Sequence, residues 1–167
     1  MKAGVRALGI AESFRGDEST LAGAVVRASR VTDGFVFGSC TVGGTDATDA
    51  VRSLLDRLDR EDVRYVLLAG IAPAWFNLLD LPAIRESADR PVLSVTFEES
   101  LAVYRRQPER RRLTVNDERV FVRAVGCDGS EATDVVRAFT PEGGRPEPLR
   151  VARLAARAAD DAFVAEG

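Results

Sequence analysis

The sequence contains no histidine, which excludes Ser-His-Asp and Cys-His nucleophilic catalysis and any histidine-ligated zinc site. An enzyme made from this chain would have to use carboxylates, most readily around a hard cation such as Mg²⁺, or an unusual nucleophile. Its two cysteines, Cys40 and Cys127, lie far apart and form no CxxC pair. Such cysteines are typical of reduced, half-buried thiols in a cytoplasmic protein.

The sequence also lacks an apolar run of about 18 residues, so we expect no transmembrane helix and no membrane partner. The first four residues lead directly into a strand pattern without a signal-peptide core. Lys2 is the only lysine, and the remaining positive charge is arginine. Either codon bias or a need for bidentate phosphate contacts would explain this preference for arginine. The net charge of −3 does not by itself indicate a polyanionic partner.

The hydrophobic pattern predicts an α/β fold in a single domain over residues 1–167. Apolar runs over residues 5–10, 20–28 and 35–42 with short connections predict three antiparallel strands. A helix is then expected from Thr45, its N-cap, followed by a strand over 64–69, a helix over 82–88 and a strand over 91–95. This order is that of a ribonuclease H-like mixed sheet: three antiparallel strands, then parallel β-α-β, flanked by helices.

The second half of the chain gives a less regular pattern. It predicts a helical segment over 99–106, an edge strand over 120–124 and a helix capped by Ser130. The final helix is expected over 149–165, with a buried face made of Val151, Leu154, Ala155, Ala158, Ala162 and Phe163.

Three segments carry chemistry that would suit a site. Trp75, Phe76 and Asn77 follow the strand over 64–69, where aromatic rings can stack on a base and an amide can contact its edge. The same rings would equally cover the end of a core. The Gly43-Gly44-Thr45 turn at a helix start can bind a phosphate, or can be a tight connection that needs glycine.

Acidic and basic residues supply two further hypotheses. Glu12, Asp46 and Asp49 could hold a metal ion if the ends of their elements meet, although each alone is more often a cap or a surface charge. A dense basic run could follow a phosphate backbone or could be a solvated surface: Arg105, Arg106, Arg110, Arg111 and Arg112.

Several segments resemble a family of archaeal proteins of unknown function that are homologous to endonuclease V. The matching segments span the chain: Leu8-Gly9-Ile10, Thr41 to Thr48, Leu67 to Ala72, Phe76 to Asp80 and Pro146 to Ala152. The resemblance implies a ribonuclease H-like fold and a nuclease that cuts a phosphodiester near a deaminated base with carboxylate-held Mg²⁺. It implies Glu12 and Asp46 as catalytic and metal-binding residues and Asp80 as a further metal ligand. The implied substrate-binding residues are Gly44, Thr45, Trp75, Phe76, Asn77 and Arg150.

The sequence departs from that family at three acidic positions. Ala11, Gly43 and Ala69 stand where the family usually has aspartate. Because a catalytic metal needs ligands that fix it and lower the pKa of its water, we expect weakened or absent Mg²⁺-dependent cleavage of deaminated or damaged nucleic acid. The alternatives are a non-catalytic module that binds nucleic acid or a nucleotide, and a structural partner of a repair protein.

Overall fold

A computed structural model of the chain describes residues 1–97 and 107–166. Its elements, in chain order, are β1 (Arg6–Arg15), β2 (Glu18–Arg27), β3 (Thr32–Thr41), α1 (Ala47–Leu58), β4 (Val63–Ala69), α2 (Pro73–Phe76), α3 (Leu81–Ala88), β5 (Val92–Thr96), β6 (Arg111–Val115), β7 (Glu118–Val125), α4 (Gly129–Ala138) and α5 (Glu147–Glu166). The helical segment expected over 99–106, together with Arg105 and Arg106, lies outside the described residues. No helix in the described part is long and apolar enough to cross a membrane.

The strands form one seven-stranded sheet in the order β3-β2-β1-β4-β5-β7-β6. The pairs β1–β4 and β4–β5 are parallel, and the other four pairs are antiparallel. The predicted ribonuclease H-like arrangement of three antiparallel strands followed by parallel β-α-β is therefore confirmed. Because β1, β4 and β5 are parallel, their last residues meet at one end of the sheet, which we call the carboxyl edge.

Helices cover both faces of the sheet, and this explains the continuous apolar run of β4. Val66 and Leu68 pack in the cluster that contains α1 and α3, whereas Tyr65 and Leu67 pack in the cluster that contains α4 and the start of α5. The alternation continues along β1, where Ala11 packs beside Ala152 of α5. The faces of β1 and β4 thus fix which side chains reach each side of the carboxyl edge.

Helix α5 packs closely on β1, and the expected buried face of this helix is wrong. A Cβ atom added to Gly9 would lie 2.3 Å from the carbonyl atoms of Pro148, so backbone meets backbone at this point. The helix buries the small residues Ala152 and Ala156. Other residues expected on that face, Leu154, Ala158 and Ala162, are exposed, while the side chain of Phe163 lies outside the described part.

Three further expectations are corrected. Strand β7, expected at the edge, lies between β5 and β6. The edge strand is the arginine-rich β6, whose charge hides a strand pattern and is typical of edges. Helix α1 has Asp46 rather than Thr45 as N-cap, and α4 begins two residues early because Asp128, not Ser130, caps it.

Candidate functional site at the carboxyl edge

Ala11 and Ala69 meet at the carboxyl edge. The parallel pairing of β1 with β4 runs to Ile10 opposite Leu68, so Ala11 and Ala69 are the next residues on each strand. Both line a small cavity with Glu12, which is the single ionisable residue among its described lining. The cavity has a volume of about 20 Å³ that the centre of a water molecule can occupy, which is enough for about one water molecule. The cavity is apolar apart from one carboxylate.

Glu12 lies within β1 rather than just past it, because the pairing with β2 continues to Arg15. Its Oε2 accepts a hydrogen bond of 2.5 Å from the Ser19 hydroxyl, and its Oε1 accepts one of 2.9 Å from the Ala74 N–H. Ala74 has a φ of 48°, a left-handed conformation that costs about 1–2 kcal/mol for a non-glycine residue. Glu12 therefore holds the segment after β4 against β1.

Asp46 is held by hydrogen bonds from both sides. The backbone N–H and hydroxyl of Thr41 donate to it at 3.0 and 2.9 Å, and Nδ2 of Asn77 donates at 2.8 Å. The Thr41 N–H and the Asn77 amide lower the pKa of Asp46, so this carboxylate stays ionised. Its acceptor positions are largely filled by the protein.

The glycine turn beside Asp46 also spends its donors within the protein. Gly43 donates its N–H to the Ala74 carbonyl at 2.7 Å, and Gly44 donates to the Thr41 carbonyl at 3.0 Å. Thr45 is exposed on this turn. The two glycine N–H groups expected to face a phosphate close the turn instead.

Asn77 is fully buried and makes three hydrogen bonds. Its Oδ1 accepts from the N–H of Ala47, the first residue of α1, at 2.9 Å. Its Nδ2 donates to the Thr41 carbonyl and to Asp46, both at 2.8 Å. Because donors and acceptor are all occupied, Asn77 joins three elements and has no free edge for a base. Trp75 and Phe76 form part of α2, but their side chains lie outside the described part.

The other predicted metal ligands, Asp80 and Asp49, do not join Glu12 and Asp46 in one site. Asp80 accepts from the Ala83 N–H at 3.1 Å and caps α3, and Asp49 is exposed on α1 beside Arg52. Within residues 1–97 and 107–166, no group of three or more Asp, Glu, Cys or His converges as metal ligands would.

Cys40 is buried on the side of the sheet that carries Glu12 and Asp46. Burial, together with the negative charge of those two carboxylates, raises the pKa of Cys40 to about 11. The group therefore stays a neutral thiol at physiological pH and is a poor nucleophile.

Asp160 of α5 is a further carboxylate, beside the last residues of β1, that the sequence pattern did not indicate. It is buried and accepts hydrogen bonds from the Ser13 hydroxyl at 3.2 Å and from Nε of Arg15 at 3.1 Å. It follows Ala152 and Ala156 at four-residue spacing, and that spacing was the available signal. Arg15 also pairs with Asp161, so this acidic pair is neutralised in part by one arginine.

The predicted basic residues separate in the fold. Arg150 forms two hydrogen bonds with Glu147, at 2.8 and 2.5 Å. Arg30 lies in the turn between β2 and β3, and its charge contributes to lowering the pKa of Glu147. This turn is at the amino end of β1, so the Glu147–Arg150 pair lies away from the carboxyl edge. Of the arginine-rich run, Arg111 and Arg112 belong to β6.

Comparisons with known proteins agree with the fold. The chain is 31% identical to a UPF0215 protein of Pyrobaculum aerophilum over 91% of its own length and 92% of that protein. It is similar to the crystal structure of a protein of unknown function from Archaeoglobus fulgidus, with 27% identity, a TM-score of 0.82, and 93% and 98% of the two chains covered.

A more distant similarity is to endonuclease V of Ciona intestinalis, solved with DNA that contains an inosine followed by a ribo-adenosine. The identity is 10%, the TM-score is 0.70, and 95% and 87% of the two chains are covered. This likeness confirms the endonuclease V-like fold and shows that a protein with this fold binds nucleic acid.

The sequence model of one family, described as endonuclease dU, matches residues 3–103 and 98–160. The two matched segments span most of the 167 residues. The chain therefore belongs to the endonuclease dU family.

Proposed function

We propose that this protein binds nucleic acid with deaminated or damaged bases on an endonuclease V-like domain whose metal-dependent cleavage has been weakened or lost. The substrate class rests on similarity: the family description names deoxyuridine, and the Ciona relative was crystallised with inosine-containing DNA. Uracil and hypoxanthine, the base of inosine, are both products of base deamination. The family description and the Ciona structure therefore indicate the same class of damage.

The loss of cleavage rests on the state of the carboxylates at the carboxyl edge. A hydrolytic Mg²⁺ needs several oxygen ligands and prefers an octahedral arrangement with free positions for water. Here Ala11 and Ala69 supply none, each oxygen of Glu12 already accepts one hydrogen bond, and the described residues contain no group of three or more acidic side chains around one point. Asp46 is likewise engaged, so these residues do not fit a catalytic Mg²⁺ site.

Releasing the two remaining carboxylates would be costly. If the two side chains turned toward a shared ion, Glu12 would lose the N–H of Ala74, and Asp46 the amide of the buried Asn77. Each buried donor left without a partner costs about 1–3 kcal/mol. The carboxylates thus serve the fold, and this is the observation that carries the proposal.

A paired binding and cleavage assay tests both halves of the proposal. Labelled DNA with one uracil or one inosine is followed by fluorescence anisotropy, and then by nicking with protein in excess, in Mg²⁺ or in EDTA. We expect binding without Mg²⁺-dependent nicking. Absence of binding contradicts the first half of the proposal. Nicking in Mg²⁺ but not in EDTA contradicts the second half if it also proceeds through repeated turnovers with DNA in excess.

Restoring the missing carboxylates provides the matched variants. The double substitution Ala11→Asp/Ala69→Asp should gain Mg²⁺-dependent nicking, whereas Ala11→Asn/Ala69→Asn, of nearly equal size but without charge, should not. Thermal melting of both variants checks that they fold, because Ala11 is buried. If both variants fold and neither nicks, the idea of a disabled copy of the site is wrong.

A further inference from the structure

Three arginines gather on the α5 side of the carboxyl edge. The Arg145 guanidinium lies over the ring of Phe97, 5.1 Å from its centroid, and Phe97 follows the last residue of β5. Arg153 and Arg157 are one helical turn apart on α5. They continue the stripe of Leu149, which packs against β4 and β5, so they line the same side of the edge.

These arginines have no ionic partner in the part of the chain that the structure describes. The three acidic residues of α5 whose side chains are described are already paired: Glu147 with Arg150, and Asp160 and Asp161 with Arg15. Burial and the nearby charges of Arg153 and Arg157 lower the pKa of Arg145. Like charges that face one another without a counterion are unfavourable for the fold, and an anion would relieve them.

The carboxylate of Glu12 lines a cavity with Ala47 and Val51 of α1, on the face of the sheet opposite to α5 and these arginines. Ala11 and Ala69 add no negative charge beside the arginines, and Ala11 faces α5. Guanidinium groups bind phosphate oxygens with two parallel hydrogen bonds. Arg157 is exposed and Arg153 half-buried, so the row is open along the helix and can follow a chain of phosphates.

We propose that Arg145, Arg153 and Arg157 form a binding site for the phosphodiester backbone of a nucleic acid strand, independent of metal. This inference rests on the proposed nucleic-acid binding and adds the residues that carry it. Backbone contacts of this kind give affinity and register rather than sequence preference.

The test measures the affinity for a fluorescein-labelled single-stranded DNA 20-mer at several salt concentrations, in EDTA. The variant Arg153→Gln/Arg157→Gln should bind at least about tenfold more weakly. The slope of log K against log salt should fall by about 1.4, or about 0.7 for each phosphate that the variant no longer neutralises. Arg153→Lys/Arg157→Lys should retain most of the slope. The matched control is Arg64→Gln/Arg137→Gln, which removes the same charge at the amino end of β4 and should change the affinity less than about twofold.

The outcomes separate this site from the proposed function. If the wild type binds DNA and the Arg153→Gln/Arg157→Gln variant binds equally well, or no worse than the control variant, the arginine site is wrong and nucleic-acid binding stands. If the wild type binds the uracil- or inosine-containing DNA but not the 20-mer, the arginine site is wrong and the proposed function stands. If it binds neither DNA, both proposals fall. Displacement of the 20-mer by inorganic phosphate, but not by chloride at equal ionic strength, would show a site for a lone phosphate and overturn the backbone assignment. Melting temperatures confirm that all variants are folded.

Discussion

Replacing Asn77 with alanine should lower the free energy of unfolding by about 2.5–6 kcal/mol. The N–H of Ala47 would lose its partner inside the core, which costs about 1–3 kcal/mol, and the bond to the ionised Asp46 adds about 1.5–3 kcal/mol. The Thr41 carbonyl would keep the Gly44 N–H, so it adds little. Because domains of this size are stable by about 5–15 kcal/mol, the variant should fold, with a lower midpoint in urea.

The variant Asn77→Asp gives this prediction a sign in pH. The new carboxyl would be buried and would face Asp46 at hydrogen-bond distance, so burial and like charge would raise its pKa in the folded state. The penalty is then complete above that raised pKa and falls as the pH is lowered through it, because the protonated carboxyl can again donate to Asp46. The difference in the free energy of unfolding between Asn77→Asp and the wild type should therefore shrink from pH 7 to pH 5. It should shrink by about 1.4 kcal/mol for each pH unit below the raised pKa.

Urea denaturation followed by circular dichroism measures both variants. A loss below about 1 kcal/mol for Asn77→Ala would contradict this prediction, since one buried and two partly buried hydrogen bonds cannot be removed at so small a cost. If that small loss came with a loss of DNA binding, the residue would be a base-contacting side chain after all.

Two further predictions concern packing and pH. Gly9→Ala should destabilise the protein by about 1–3 kcal/mol or more, because its Cβ would overlap the Pro148 carbonyl, whereas Gly4→Ala, where no atom lies within 4 Å, should be neutral in the same urea titration. Burial raises the pKa of Asp33, but hydrogen bonds from Arg6, Arg27 and Arg60 lower it to about 2. The resulting stabilisation, at most about 2.5 kcal/mol, should be complete above about pH 5 and fade as the pH falls toward 2. Acid titration of Asp33→Asn should lack this loss, and an equal loss in the variant would contradict the assignment.

The order of β1 to β5 was predictable because these strands carry strong apolar runs separated by clear turn or helix signals. The sequence pattern failed where close packing or charge replaced hydrophobic size. Helix α5 buries Ala152 and Ala156 rather than Leu154, since Gly9 brings the helix too near the sheet for a larger side chain. Strand β6 was hidden by its arginines, which an edge strand tolerates.

The candidate site was predictable in place but not in the roles of its residues. Glu12, Asp46 and Asn77 do lie at the carboxyl edge, as their positions after strands indicated. Asp46 is bound by the nearby Thr41, but Asn77 and Glu12 are bound by backbone N–H groups of Ala47 and Ala74, and a sequence does not reveal contacts between groups 30 and 62 residues apart. The structure therefore shows Asn77, which the sequence predicted to contact a base, as a buried amide hydrogen-bonded within the protein, and its role toward a substrate stays a prediction.

We claim that Glu12 and Asp46, the carboxylates that remain at the carboxyl edge, do not bind a divalent cation. A titration with Mn²⁺ followed by electron paramagnetic resonance measures this binding. Free Mn²⁺ gives a sharp six-line signal that disappears on binding, and this cation accepts the same oxygen ligands as Mg²⁺. We predict no saturable site for the wild type in the micromolar range and one new site for Ala11→Asp/Ala69→Asp. A stoichiometric wild-type site that disappears in Glu12→Gln would contradict the claim.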